Sequence, residues 1–141
     1  MEIPPRVLVA VSPAELQALE GVLAGHATLV PVFAREQALK ALDRTIRLVV
    51  CSTQFDDSRM FYLLHDLKAA APSVPVVCCC VLDPHFTRET LEGMGMAARH
   101  LGAAAFVDLH ALRREHGHRE GDARFVKLVL EHLGLGAGRT T

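Results

Sequence analysis

The chain has 141 residues, of which 50% are apolar and 22% charged, and its formal net charge is −1. This length fits one domain, and the composition excludes a disordered chain. The near-zero charge argues against binding to nucleic acid or to an anionic membrane surface. The longest apolar run, at 74–82, is too short to predict a membrane-spanning helix. Four cysteines, three of them adjacent at 78–80, do not suit a disulfide framework, so we predict a reduced, cytoplasmic protein.

The first strand and the first helix have clear local signals. Residues 6–11 form an apolar run without polar alternation, which is typical of a strand covered on both faces. Ser12 follows as a candidate N-cap, Pro13 suits the first helical position, and Glu15 stands where a capping box needs an acidic side chain. The pattern therefore predicts a helix that begins after Ser12 and ends at Gly25.

The next three segments continue this alternation. A second strand is predicted at 27–33, and its Pro31 cannot donate to a strand ladder, which favours an edge position. A short helix at 34–43 leads to a third strand at 46–51, in which Arg47 is the one charged residue. Up to this point the chain is a β-α-β-α-β series.

The second half of the chain extends the series. Asp83 and Pro84 are predicted as the N-cap and the first residue of the fourth helix. The predicted segments are a helix at about 58–71, a strand at 74–82, a helix at 83–101, a strand at 104–107, a polar loop at 110–121, a helix at 122–133 and a mobile Gly-rich tail at 134–141.

Five strands that alternate with five helices predict an α/β fold. We expect a flavodoxin-like three-layer sandwich, with a five-stranded parallel sheet in the order 2-1-3-4-5. Residues 1–133 would form this one domain. Because ligands bind such sheets at the carboxyl ends of the strands, the residues at those ends are the candidate site.

Four stretches match a known family in pattern. They are RVLVA at 6–10, IRLVVC at 46–51, LLHDLKAAAPSVPVV at 63–77 and LGAAAFV at 101–107. With these stretches, residues 6–133 resemble a response-regulator receiver domain. The matching features belong to the scaffold, so they indicate the fold and not the chemistry.

The positions that carry the chemistry of that family differ in this chain. In the family, an acidic pair after the first strand holds magnesium, an aspartate after the third strand accepts a phosphoryl group, a Thr or Ser ends the fourth strand and a lysine ends the fifth. The matching residues here are Val11, Ser12, Ser52, Cys80 and Leu109. These residues offer no charge to a metal ion, and a serine cannot form an acyl phosphate. The resemblance therefore implies a degenerate receiver without magnesium or another cofactor.

Two nearby carboxylates leave an alternative open. Asp56 and Asp57 lie four and five residues after Ser52, where a shifted loop would present one of them as a displaced phosphoacceptor. The other interpretation is that they cap the helix that begins near Ser58, because carboxylates favour the positive end of a helix dipole.

These features favour a binding module over an enzyme. We expect a phosphorylation-independent signalling domain that contacts a protein partner, with no nucleic acid or membrane as partner. The resemblance implies an interface, and a possible homodimer, through the fourth helix, the fifth strand and the fifth helix, at about 87–101 and 104–133. Met94 and Met96 would give this face an adaptable apolar surface if they are exposed.

The alternative is a sensor of a small ligand, a metal ion or a redox change at the carboxyl ends of the strands. Such a site would draw on Cys51 or Cys80, with His85 or His110. The spacing of the cysteines matches no zinc pattern, and free cysteine is commonly buried as a small apolar residue. The histidines at 116–118 lie in a polar segment of mixed charge, which favours solvated surface over a metal site.

Overall fold

The computed structural model describes residues 4–82 and 86–138, and its five strands form one parallel sheet in the order β2-β1-β3-β4-β5. The strands are β1 Arg6–Ala10, β2 Thr28–Val32, β3 Ile46–Ser52, β4 Val76–Cys80 and β5 Ala105–Asp108. The predicted α/β class and strand order are confirmed, and β2, which contains Pro31, lies at an edge.

Six helices are present among the described residues, one more than the sequence predicted. They are α1 Pro13–Leu23, α2 Arg35–Ala41, α3 Met60–Ala70, α4 Arg88–His100, α5 Leu109–His116 and α6 His118–Gly138. Within the described residues, none of these helices has both the length and the apolar character needed to cross a membrane.

Two apolar cores, one on each face of the sheet, hold the layers together. Val7 and Val9 of β1 pack with α1 and α6 around Phe125, which is fully buried. Leu8 and Ala10, the alternate residues of the same strand, pack with α2, α3 and α4. Because both faces of the central strands are covered, their sequences are apolar without alternation.

The polar segment predicted as a loop at 110–121 is helical, so that prediction was wrong. The Asp108 side chain caps α5 by accepting from the Ala111 N–H at 2.9 Å. The helix ends at Gly117, whose φ of +87° few other residues adopt, and α6 begins at the next residue. The charged side chains of α5 obscured its apolar face in the sequence, where Leu109 is fully buried.

Helix α6 also continues past the predicted boundary at 133, as far as Gly138. Each added residue of an established helix gains a backbone hydrogen bond, which offsets the unfavourable propensity of the glycines in 134–138. The rest of the predicted tail, 139–141, lies outside the described residues.

Helix α4 begins later than predicted, because its cap is Thr87. The Thr87 Oγ1 accepts from the Thr90 N–H at 3.1 Å, and Arg88 is the first helical residue. Asp83 and Pro84, which the sequence placed at this helix start, lie outside the described residues.

Strand β3 contains an irregularity at its charged residue. Arg6 pairs with Ile46 and Val7 pairs with Leu48, so Arg47 is an extra residue with no partner in the β1 register. Such a bulge changes the direction of the side chain that it contains. Arg47 is the one exposed residue of β3.

The helical hairpin of α5 and α6 gives a prediction about packing. A Cβ atom at Gly121 would lie 2.7 Å from the backbone N and Cα atoms of Arg113, so Gly121→Ala forces the two helices apart. We expect a loss of about 2–3 kcal/mol in the free energy of unfolding, measured by urea denaturation. Gly93→Ala is the matched control, because Gly93 lies within α4 and a Cβ there meets no atom within 4 Å. This control should gain roughly 0.5–1 kcal/mol. Equal stability of the two variants would contradict the close contact.

Candidate functional site

The site at the carboxyl ends of the strands is built on the N-terminus of α1. Ser12 is the N-cap, and its Oγ accepts from the Glu15 N–H at 3.3 Å. In return, the Ser12 N–H donates to the Glu15 Oε1 at 2.8 Å. The capping box that the sequence predicted is therefore confirmed.

The Glu15 carboxylate also reaches the end of β3. Ser52 donates its hydroxyl to the same Oε1 atom at 2.6 Å, and both side chains are fully buried. The contact joins residues that are 37 positions apart in the chain. A buried carboxylate is costly unless it is hydrogen-bonded, and here two donors and the positive end of α1 offset that cost.

Two buried oxygen atoms beside this contact have no hydrogen-bond partner among the described residues. They are Oε2 of Glu15 and Oγ1 of Thr53. The Thr53 backbone N–H donates to the Cys79 carbonyl at 2.9 Å, which fixes this residue against β4. The hydrogen-bonded polar centre of the site is thus formed by Ser12, Glu15 and Ser52.

The other residues predicted for this pocket have different places. Val11 and Leu109 are fully buried in the apolar core under α1 and α6, so neither supplies a polar group to the polar centre. Cys80 ends β4, and its Sγ donates to the Leu82 carbonyl at 3.3 Å. The structure therefore brings Ser12 and Ser52 together, through Glu15.

The sequence predicted the capping role of Glu15 but did not indicate that this side chain also contacts Ser52. The available signal was the strand order, because β1 and β3 are neighbours and the residue after β1 begins α1. The side-chain conformation that directs Oε1 to both donors depends on tertiary packing, which the local pattern does not encode.

One of the two aspartates after Ser52 caps a different helix from the one predicted. Asp56 accepts from the Arg35 N–H at 3.0 Å, at the start of α2, whose N-cap Ala34 has no side-chain acceptor. Helix α3 has no side-chain cap, so the prediction that these aspartates cap it was wrong. The missing acceptor at Ala34 explains why a carboxylate from a distant loop takes that role.

This loop also has an unusual backbone. Asp56, Asp57 and Ser58 are consecutive residues with φ values of 45°, 58° and 65°, in the left-handed region. The conformation costs roughly 1 kcal/mol or more for each residue that is not glycine. Asp57 is exposed, whereas Asp56 contacts Arg59 and α2.

Comparison with known proteins identifies the architecture. No protein-family model and no curated protein matches the sequence. Among solved structures, the signal receiver domain of a putative Luxo repressor protein from Vibrio parahaemolyticus matches with a TM-score of 0.72 and 15% identity, over 98% of this chain and 96% of that one. This chain has the receiver-domain fold. The resemblance drawn from the sequence is confirmed.

Two further structures agree with this assignment. The receiver domain of NtrX from Brucella abortus matches with a TM-score of 0.66 and 26% identity, over 90% of this chain and 97% of that domain. The longer NtrX structure from the same organism matches with a TM-score of 0.71 and 22% identity, over 98% of this chain. This chain spans only 28% of that longer chain.

The magnesium ion that the receiver resemblance implies does not fit the residues present. Magnesium prefers several oxygen ligands with at least one or two carboxylates free to bind. The described part of the site has one carboxylate, and its Oε1 already accepts two hydrogen bonds. No group of three or more His, Cys, Asp or Glu side chains in the described residues is arranged to hold a metal ion.

The four cysteines of this receiver fold are buried, and burial raises the pKa of three of them. Burial raises the pKa of the Cys78 thiol to about 12, with a small opposing effect from Lys68. Burial also raises the pKa values of Cys51 and Cys79, and the negative charge of Glu15 adds to both effects. Because thiolates bind metals and react with oxidants, these shifts favour packing over a metal or redox role. Of the two histidines of the sensor interpretation, His110 lies in α5 and is half-buried, whereas His85 lies outside the described residues.

The contact between Glu15 and Ser52 gives a prediction about stability. Ser52→Ala removes one of the two donors to a buried carboxylate, and we expect a loss of about 1.5–3 kcal/mol in the free energy of unfolding. Thr53→Val is the matched control, because it removes a neighbouring buried hydroxyl that has no partner in the described residues. We expect the control to change stability by less than about 1 kcal/mol. Urea denaturation measures both, and equal losses would show that the hydrogen bond contributes nothing specific.

Proposed function

We propose that this receiver-fold domain transmits signals through protein contacts, without catalysis and without phosphorylation of its own pocket. The observation that supports this proposal is the hydrogen bond of Ser52, which we align with the family's phosphoacceptor, to the buried side chain of Glu15. The hydroxyl to which a phosphoryl group would be attached is already donated within the protein.

Electrostatics supports the same proposal. A phosphoryl group on Ser52 would add a charge of about −1.5 to −2 next to a carboxylate that is fully buried. Like charges in a partly desolvated site repel strongly, and no Lys or Arg of the described residues pairs with Glu15. Leu109, at the position of the family's lysine, is apolar and buried.

A surface on α4 suits contact with a partner. Met96 is 68% exposed and Leu101, just after the helix, is also exposed, whereas Met94 is half-buried. Helix α4 lies close to β5 because Gly95 has no side chain. A Cβ atom at residue 95 would lie only 3.2 Å from the Phe106 ring. We propose that this face binds a signalling protein or a second copy of the chain.

Treatment with a small phosphodonor tests the independence from phosphorylation. After incubation with acetyl phosphate and Mg²⁺, we expect the intact mass of the protein to stay unchanged. The control protein carries Asp56→Asn and Asp57→Asn and should behave identically. A stoichiometric, acid-labile phosphoryl adduct on the wild type would contradict the proposal. Loss of that adduct in the double variant would identify the displaced aspartates as its acceptors.

Light scattering tests the association of two copies. We expect the average molecular mass in solution to rise with protein concentration from 15.3 kDa towards twice that value. Met96→Asp should suppress the rise by placing a charge in an apolar contact. Tyr62→Asp is the matched control, because Tyr62 is 63% exposed and lies on α3. A mass of 15.3 kDa at every concentration would exclude the homodimer and leave a different protein as the partner.

A further inference from the structure

A groove lies at the amino ends of the strands, where β3 and β4 begin, whereas Glu15 lies at the carboxyl ends. Its volume is about 660 Å³, within the range of small-molecule sites. The end of α2, the start of β3 and the connection at 70–75 form its walls. Its lining includes Ile46 and Leu133, which are almost fully buried, and Leu39, which is 38% exposed.

Two arginines at this groove have no hydrogen-bond or ion-pair partner among the residues that the structure describes. Arg44 and Arg47 both line it, and neither forms a hydrogen bond or an ion pair with any other described residue. Surface arginines commonly point into solvent, so this observation alone identifies no site.

The acidic residue of the groove is already engaged. The Asp43 carboxylate accepts from the Thr45 N–H at 2.8 Å and from the Thr45 hydroxyl, which in turn accepts from Arg6 at 2.6 Å. The hydrogen bonds from Thr45 hold the pKa of Asp43 below its ordinary value. Asp43 forms an ion pair with neither Arg44 nor Arg47, and two arginines against one carboxylate give the described lining a net positive charge.

The bulge in β3 is the second, independent observation. In a regular strand buried on both faces, the side chain of residue 47 would point into one of the two cores. The register shift between Ile46 and Leu48 inserts Arg47 as an extra residue and leaves it exposed. Bulges are common beside functional sites, where they redirect a side chain. Here the redirected side chain lines the groove.

We propose that this groove binds a small amphipathic anion, with its carboxylate or phosphate on Arg44 and Arg47 and its apolar part against Leu39 and Ile46. Arginine binds such oxyanions through two parallel N–H donors, and apolar walls contribute by removing hydrocarbon surface from water. The site is separate from the pocket around Ser52, so it does not depend on the function proposed above.

Octanoate is a suitable probe, because it combines one carboxylate with a flexible apolar chain. Titration into ¹⁵N-labelled protein, followed by amide NMR spectra, should give saturable shifts centred on residues 42–47 and 70–75. For a ligand of this size we expect a dissociation constant of about 1–10 mM. Acetate, which lacks the chain, and 1-octanol, which lacks the charge, should each bind at least about tenfold more weakly.

Charge-reversal variants test the role of the arginines. Arg47→Glu and Arg44→Glu should each weaken octanoate binding by about tenfold or more. Arg99→Glu makes the same change of net charge at an exposed position of α4, and it should alter binding by less than about twofold. The dispersion of the amide spectrum shows whether each variant is folded, and Arg44→Glu provides the test if the bulge does not tolerate glutamate.

A second pair of variants tests the apolar wall. Leu39→Asn should weaken octanoate binding by about fivefold, whereas Leu130→Asn, at a position on α6 with a similar exposure of 37%, should have no effect. Equal binding of octanoate and 1-octanol would overturn the proposal. Shifts spread over the surface, or binding that survives both arginine variants, would overturn it as well.

Discussion

The arrangement of this protein's strand-end site depends on one buried carboxylate. Glu15 accepts from the backbone of Ser12 and from the hydroxyl of Ser52, so a single oxygen atom ties the start of α1 to the end of β3. The positive end of the α1 dipole lies next to the charge and stabilises it. Without these donors the cost of burying the charge would be several kcal/mol. The polar centre is therefore held by contacts within the chain, while Oε2 of Glu15 has no partner among the described residues.

This polar centre differs from the site that the receiver resemblance implies, which has an acidic pair, a phosphoacceptor aspartate and a lysine. The Ser52 hydroxyl is already donated to Glu15, and Val11 and Leu109 belong to the apolar core. The scaffold and its exposed helical faces remain available for binding.

The sequence predicted the features that depend on local pattern. The capping box of Ser12 and Glu15 involves residues three positions apart, and the order of the strands followed from their alternation with helices and from Pro31. The features it missed depend on residues far apart in the chain. Asp56 caps α2 across 21 positions, and Glu15 contacts Ser52 across 37 positions.

Helix α5 was missed for a local reason, because its charged residues outnumber the few that face the core.

The placement of Pro31 limits how copies of this protein associate. Strand β2 forms one border of the sheet, and a proline there has no N–H for a strand from another molecule. The opposite border, β5, is only four residues long. Neither border is a good template for adding a strand, so intermolecular sheet extension and the aggregation that follows from it are disfavoured. If copies of this protein associate, we expect side-chain contacts between helices and not an extended sheet.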